Sequence, residues 1–180
     1  AGSNRPVPTH RFGAPGTYTV SLEVVDDKGC GNVATREVNV FAHPNADFGM
    51  DPTVCQENPL ELTNQSDAGG GPPISNYFWQ FGDDATSVLP GPAHSYQRAG
   101  PHLVSLIATS IMQCKDTLSK AVLVYPIPEV DFLMEEDVCI GETSQFINLS
   151  TIRNDVAGDV ITGWDWDFGD GASAGSVPDP

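Results

Sequence analysis

Carboxylates, thiols and imidazoles are the groups in this chain that could do chemistry. Asp165, Asp167 and Asp170 fall within six residues, interleaved with Trp166, Phe168 and Gly169. Hard carboxylate oxygens at that density could hold Ca²⁺, and paired carboxylates could serve a glycosidase. Two features weigh against both uses. Adjacent residues of a strand point to opposite faces, which breaks up a dense cage. The pattern also occurs twice, as Trp79-Gln80-Phe81-Gly82-Asp83 and Trp166-Asp167-Phe168-Gly169-Asp170, whereas an active site normally occurs once per catalytic domain. The expectation is therefore structural. Trp79, Phe81, Trp166 and Phe168 fill a core, while Asp83 and Asp170 follow glycine in a tight turn and bond their own backbone. A weak calcium site at Asp165, Asp167 and Asp170 is the alternative; no other cofactor is expected.

Cys30, Cys55, Cys114 and Cys139 form no CxxC pair, which disfavours a zinc knuckle. In an exported protein they would form disulfides. Two connectivities stay open: Cys55–Cys114 within one unit, or a staggered pairing between consecutive units. His10 and His94 each stand two residues before an aromatic, Phe12 and Tyr96. They read as packing and turn positions, with metal binding or pH sensing the alternative. His43 and His102 do not cluster with them in sequence. Asn64-Gln65-Ser66 and Asn148-Leu149-Ser150 match the N-glycosylation pattern, and read equally as strand-end turns. No Ser-His-Asp arrangement, phosphate loop or basic patch is evident.

The elements that must position these groups are set by an internal repeat. His10, Gly16, Val20-Ser21-Leu22, Cys30, Val38, Val40, Asp47-Phe48, Cys55 and Asn64 all recur 84 residues later, and Phe12 recurs as Tyr96. The Trp79 motif recurs at 87, so three residues enter the polar stretch 150–160, opposite the Gly-Gly-Gly-Pro-Pro run at 69–73. That places a surface loop there. In this frame residues 1–43 are the C-terminal half of one unit, 44–127 a complete unit, and 128–180 the N-terminal half of a third. The chain reads as a segment of a longer array. A less favoured reading has the two end halves completing domains in neighbouring copies.

Within each unit the period is two. Tyr18, Val20, Leu22 and Val24 alternate with Thr, Ser and Glu, as in a half-buried strand. Asp26-Asp27-Lys28-Gly29 then turns the chain into a second strand ending at Val40. The same hairpin recurs over 102–125. Further strands are expected over 59–64, 76–81, 143–149 and 163–168, and no segment shows a helical period. About seven short strands per unit predict an all-β, immunoglobulin-like sandwich. Short proline-bearing linkers, Ala42-His43-Pro44 and Pro126-Ile127-Pro128, predict a semi-rigid string of beads.

Composition narrows the partners. With 8 Lys and Arg against 24 Asp and Glu, the net charge is −16. An acidic surface repels nucleic-acid phosphates and anionic lipid, and no apolar run approaches the roughly 20 residues of a membrane helix. Neither nucleic acid nor membrane insertion is expected.

Trp164-Asp165-Trp166-Asp167-Phe168-Gly169-Asp170-Gly171 resembles the WDFGDG signature of PKD domains. His10-Arg11-Phe12, followed by Pro15-Gly16-Thr17-Tyr18-Thr19-Val20-Ser21-Leu22, is similar to the family's second signature. The central unit departs in having Asp84 for Gly and Ala99-Gly100-Pro101-His102 for PGTY. The cysteine-bearing variety resembles arrays in giant surface proteins of gliding Bacteroidota. That resemblance implies type IX secretion to the cell surface and a role as adhesin stalk or filament. It also implies partners among neighbouring repeats, identical chains and an unknown surface or carbohydrate ligand, and no catalysis. The competing expectation is an accessory module of a secreted degradative enzyme, with Tyr77 and Tyr125 as its candidate binding aromatics.

Overall fold

The structure, a computed structural model, describes residues 5–135, 137–153, 158–171 and 173–174. Its regular elements there are all β-strands. None is a helix that could cross a membrane.

The first unit contributes an antiparallel hairpin of β1 (Gly16–Val25) and β2 (Gly31–Val40), with Gly16 opposite Val40 and Val25 opposite Gly31. Its turn is closed by Asp26, whose Oδ1 accepts from the N–H groups of Lys28 and Cys30 at 2.9 and 2.8 Å. This is the Asx chemistry that makes Asp a turn residue.

The central unit follows, with β3 (Phe48–Gly49), β4 (Thr53–Cys55), β5 (Pro59–Glu61), β6 (Thr63–Asn64), β7 (Ile74–Gln80), β8 (Thr86–Ser87), β9 (Ala93–Ser95), β10 (Gly100–Ser110) and β11 (Lys115–Tyr125). One sheet runs β4-β11-β10-β7-β8, and the short ladders β3-β6 and β5-β9 face it. The strand expected over 59–64 is broken into β5 and β6 at Leu62, whose side chain is buried. The alternation read in 102–125 sets the core. Val104, Leu106 and Ala108 of β10 and Val122 and Val124 of β11 are at most 1% exposed. Of these, Val104, Leu106, Val122 and Val124 pack on Phe48, Leu60, Leu62, Trp79, Phe81 and Tyr96 in a single cluster.

The linker before this unit is held to it. His43 Nδ1 bonds the Lys115 carbonyl at 2.9 Å. A Cβ at Gly71 would lie 2.6 Å from the Ala42 carbonyl oxygen, so the glycine run lets the linker backbone come close.

The third unit contains β12 (Phe132–Met134), β13 (Phe146–Asn148), β14 (Trp166–Asp167) and β15 (Ser173–Ala174), paired β12-β13 and β14-β15. It repeats the second unit's polar framework atom for atom. Asp47 N–H donates to Ser66 Oγ (3.1 Å), Ser66 Oγ to Asp47 O (3.2 Å), and Ser66 N–H to Asn64 Oδ1 (3.0 Å). Asp131, Ser150 and Asn148 make the same three bonds at 3.3, 3.3 and 2.9 Å. The two Asn-x-Ser sites are thus turn-forming asparagines that already spend their side-chain oxygen on the backbone.

Candidate functional site

The two motifs singled out in the sequence meet at one end of the central core. Trp79 sits on β7 with no exposure, and its indole N–H donates to the Leu89 carbonyl at 2.9 Å. Its ring meets Phe48 edge-on at 5.1 Å between centroids. Phe81 follows two residues later on the same inward face.

Gly82 then makes the turn at φ 85°, and a Cβ there would fall 2.8 Å from both N and O of Leu103. Glycine is required at this position on both counts. Asp84 adopts φ 70°, and its counterpart Gly171 has φ 86°. Aspartate is among the few residues that tolerate this left-handed region, which explains the departure from the signature glycine.

His94 lies on β9, across the core from that turn. Its imidazole stacks on Phe81 at 4.1 Å and 8° between planes, and its Nε2–H donates to Asp83 Oδ2 at 2.7 Å. Tyr96 completes the group, fully buried, donating its hydroxyl to the Phe81 carbonyl at 2.9 Å and meeting His94 edge-on. The His-x-aromatic motif is therefore the clasp of the aromatic-Gly-Asp turn.

Electrostatics follow from the packing. Partial burial raises the Asp83 carboxyl, but the hydrogen bonds from His94 and from the Ala85 N–H outweigh it, and the group ends below its ordinary value. Burial first, then the Asp83 charge, push the Tyr96 hydroxyl up to about 12. A carboxyl depressed in the fold lends stability that is present above its unfolded value and lost as pH falls through the folded one. The denaturant midpoint of the central unit should accordingly fall on acidification below about pH 4. Asp83→Asn should flatten that fall, leaving the shares of Asp47 and Asp67, which are also depressed. A slope unchanged in Asp83→Asn would refute the clasp's contribution.

The Asp–His pair lies at the edge of the core, with the Asp83 side chain 25% exposed. Its geometry is that of a structural link, with both groups already committed to the turn.

The other expected site residues are distributed as follows. Asp167 Oδ1 accepts the Gly169 N–H at 2.9 Å, closing its own turn. Among the described residues no three His, Cys, Asp or Glu side chains converge as metal ligands, so Asp165, Asp167 and Asp170 are not drawn into a cage. Phe168, expected in a core, is 42% exposed, because the third unit shows no counterpart of β10–β11 among the described residues. His10 stacks edge-on against Phe12 at 4.7 Å, and Phe12 on Tyr18 at 4.6 Å. Tyr77 is partly buried against the core and Tyr125 is 36% exposed at the end of β11.

All four thiols are free. Cys55 pairs in parallel register with Tyr125, at the last residue of β11, while Cys114 immediately precedes the first. At ~3.3 Å per residue the strand separates them by roughly 36 Å, far beyond the ~7 Å Cα separation a disulfide tolerates. The structure thus sets the two cysteines of one unit at opposite ends.

Spacing did not reveal a further clamp. Lys120 on β11 reaches Asp47 Oδ1 at 3.2 Å and the Phe48 carbonyl, with its ammonium 4.8 Å from the Phe48 ring centroid. The signal was present as the recurrence of a basic residue at this position, Arg36.

The family described as PKD domain matches residues 1–40 and 41–124. The chain belongs to the PKD domain family. The PKD1 domain of the Vibrio cholerae metalloprotease PrtV is 29% identical, covers 46% of this chain and 98% of its own, and superposes with a TM-score of 0.42. The PKD1 domain of Vibrio anguillarum Epp is 27% identical over 47% of this chain and 96% of its own, at 0.42. A structure of carbohydrate-binding modules from the β-sandwich superfamily matches 58% of this chain and 52% of its own at 14% identity and 0.45. In the PKD unit seen here, the family's two signatures are one joint that holds the sandwich shut.

Proposed function

We propose that this chain is a non-catalytic segment of an extracellular, cell-surface protein, in which tandem PKD units form a stalk or filament that carries adhesion. One observation carries the reading. The side chains that could do chemistry are consumed by the fold: Trp79 is fully buried, and His94, Asp83 and Tyr96 are bonded to one another and to the turn. The sequence motifs that build this apparatus recur along the chain, as expected of a spacer assembled from equal beads. The acidic charge suits a secreted, soluble surface, and export by a type IX route in a gliding bacterium fits the cysteine-bearing repeat. Neighbouring units and identical chains are the partners this reading requires.

The test is small-angle X-ray scattering on chains with increasing numbers of complete units. Maximum dimension should grow by about 36 Å per unit, the length of an 11-residue strand at ~3.3 Å per residue, at constant cross-section. A compact particle would refute the stalk.

A second reading is favoured by the match to a PKD domain of a Vibrio metalloprotease. There the unit would be an accessory module presenting Tyr77, Phe78 or Tyr125 to a protein or polysaccharide. Saturable binding of such a polymer by the central unit, lost in Tyr125→Ala or Phe78→Ala, would favour it over the stalk.

A further inference from the structure

The central unit carries one cysteine at either end. Cys114 closes the β10–β11 turn: its carbonyl accepts from the Ser110 N–H at 2.9 Å, and its own N–H donates to Ser110 Oγ at 3.2 Å. The next residue, Lys115, is bonded to the preceding linker through His43, so this turn stands at the end that faces the preceding unit. Cys55, paired with Tyr125 at the close of β11, stands at the end that faces the following one. The turns that present the two thiols recur. Gln113, before Cys114, has φ 62° where Gly29, before Cys30, has φ 83°. Glu57, two residues after Cys55, has φ 66° where Gly141, two after Cys139, has φ 85°. The left-handed conformation is uncommon for a residue with a side chain, yet it is kept at both places.

The leading ends of the second and third units are built alike. Asn45 and Asp67 exchange two backbone bonds at 2.9 and 3.0 Å. Their counterparts 84 residues on, Glu129 and Thr151, exchange the same two at 2.8 and 2.9 Å. His43, two residues before Asn45, lies against the strand that begins beside Cys114. Its counterpart Ile127, two residues before Glu129, lines a cleft of about 650 Å³ together with Gln56 and Glu57, the residues that follow Cys55. The frame shared by Asn45 and Glu129 therefore carries the Cys114 position of a following unit to Ile127, across that cleft from Cys55.

We propose that, in a row of complete units, Cys55 of each unit forms a disulfide with the Cys114 counterpart of the unit that follows, one bridge across every junction. This deepens the stalk reading, on which it rests for the row of units. Within residues 1–180 no two cysteines make such a pair: Cys55 belongs to the junction of the second and third units, Cys114 to that of the first and second. Cys55 is exposed and Cys114 half-buried, so a small oxidant reaches both. With oxidised glutathione, one thiolate attacks the oxidant's S–S bond and releases one glutathione thiol. The second protein thiolate then displaces the other, so one protein disulfide forms, the oxidant is reduced to two thiols, and the protons of the protein thiols pass to them.

The experiment has two arms, both in a mixture of reduced and oxidised glutathione and read by intact mass and thiol titration. The 180-residue chain, kept dilute, should take up glutathione and form no disulfide between two of its own cysteines. The second arm joins residues 44–127 directly to a second 44–127, each with its own closed core. Ile127 then meets Pro44 where it otherwise meets Pro128. One variant keeps only the inner pair, with Cys114→Ser in the first copy and Cys55→Ser in the second. The other keeps only the outer pair, with the two substitutions exchanged. The inner pair should lose both free thiols to a disulfide within the chain, with no glutathione added. The outer pair should keep its thiols or carry glutathione. Equal denaturant midpoints in reductant show that both variants fold. A Cys55–Cys114 bridge in the 180-residue chain, an inner pair that stays open, or equal closure of the two pairs would each overturn the proposal. Scattering on the same chains reports separately: a closed inner pair in a compact particle keeps the bridge and sinks the stalk, and an open inner pair in an extended particle does the reverse.

Discussion

Trp79→Ala will unfold the central unit. The side chain has no exposure, lies against Phe48, and spends its indole N–H on the Leu89 carbonyl. Truncating a buried tryptophan to alanine costs about 3–5 kcal/mol through lost burial and the cavity left behind. Leaving the Leu89 carbonyl without its donor adds to that. A single domain of this size has about 5–15 kcal/mol in total, so the loss is a large share. Equilibrium denaturation of residues 44–127, followed by circular dichroism, should show the midpoint collapse or no folded baseline at all. Trp79→Phe should lose much less, since the ring still fills the site and only the indole bond goes. Equal losses for the two variants would mean that volume is not what the tryptophan provides.

The second large effect belongs to His94. His94→Ala removes a stacked partner of Phe81, an edge contact to Tyr96 and the partner of Asp83. Hydrogen bonds to charged groups are worth about 1.5–3 kcal/mol, and aromatic pairs about 0.5–1.5 beyond their area. Asp83 is only partly screened from water, its side chain being 25% exposed, so the ionic share belongs at the low end. A loss of about 2–3 kcal/mol is expected in the denaturant midpoint. A double-mutant cycle with His94→Ala and Asp83→Asn should show coupling of about 1 kcal/mol. Additive losses would mean the 2.7 Å contact carries no energy of its own.

The sandwich was legible because its strands carry the period of two. Val104, Leu106, Val122 and Val124 are inward where alternation puts them, and the hairpin registers follow from Asp26 and from the Ser110–Cys114 turn. The clasp was half legible. The recurring motifs placed Phe81, Asp83, His94 and Tyr96 at core, packing and turn positions. That His94 stacks on Phe81 and bonds Asp83 depends on how two strands meet across the core, which no local pattern encodes. Lys120 was missed for the same reason: its partner Asp47 is 73 residues away. Phe168 and Leu22 show a different limit. Alternation tells which face of a strand is apolar, and it is silent on whether another strand lies over it. Nor did spacing reveal β4. A strand of three residues shows too little alternation to read, yet its parallel pairing puts Cys55 beside Tyr125.

That short parallel pairing has a mechanical meaning. β4 lies near the entry of the central unit and β11 near its exit, and Thr53, Val54 and Cys55 run alongside Leu123, Val124 and Tyr125 in the same direction. Tension applied through the two linkers therefore pulls the strands past each other along their length. Their evenly spaced bonds share the load at once, where an antiparallel hairpin pulled from its open end would give way one bond at a time. A row of such units, if loaded through its linkers, would resist stretching by shear at every bead.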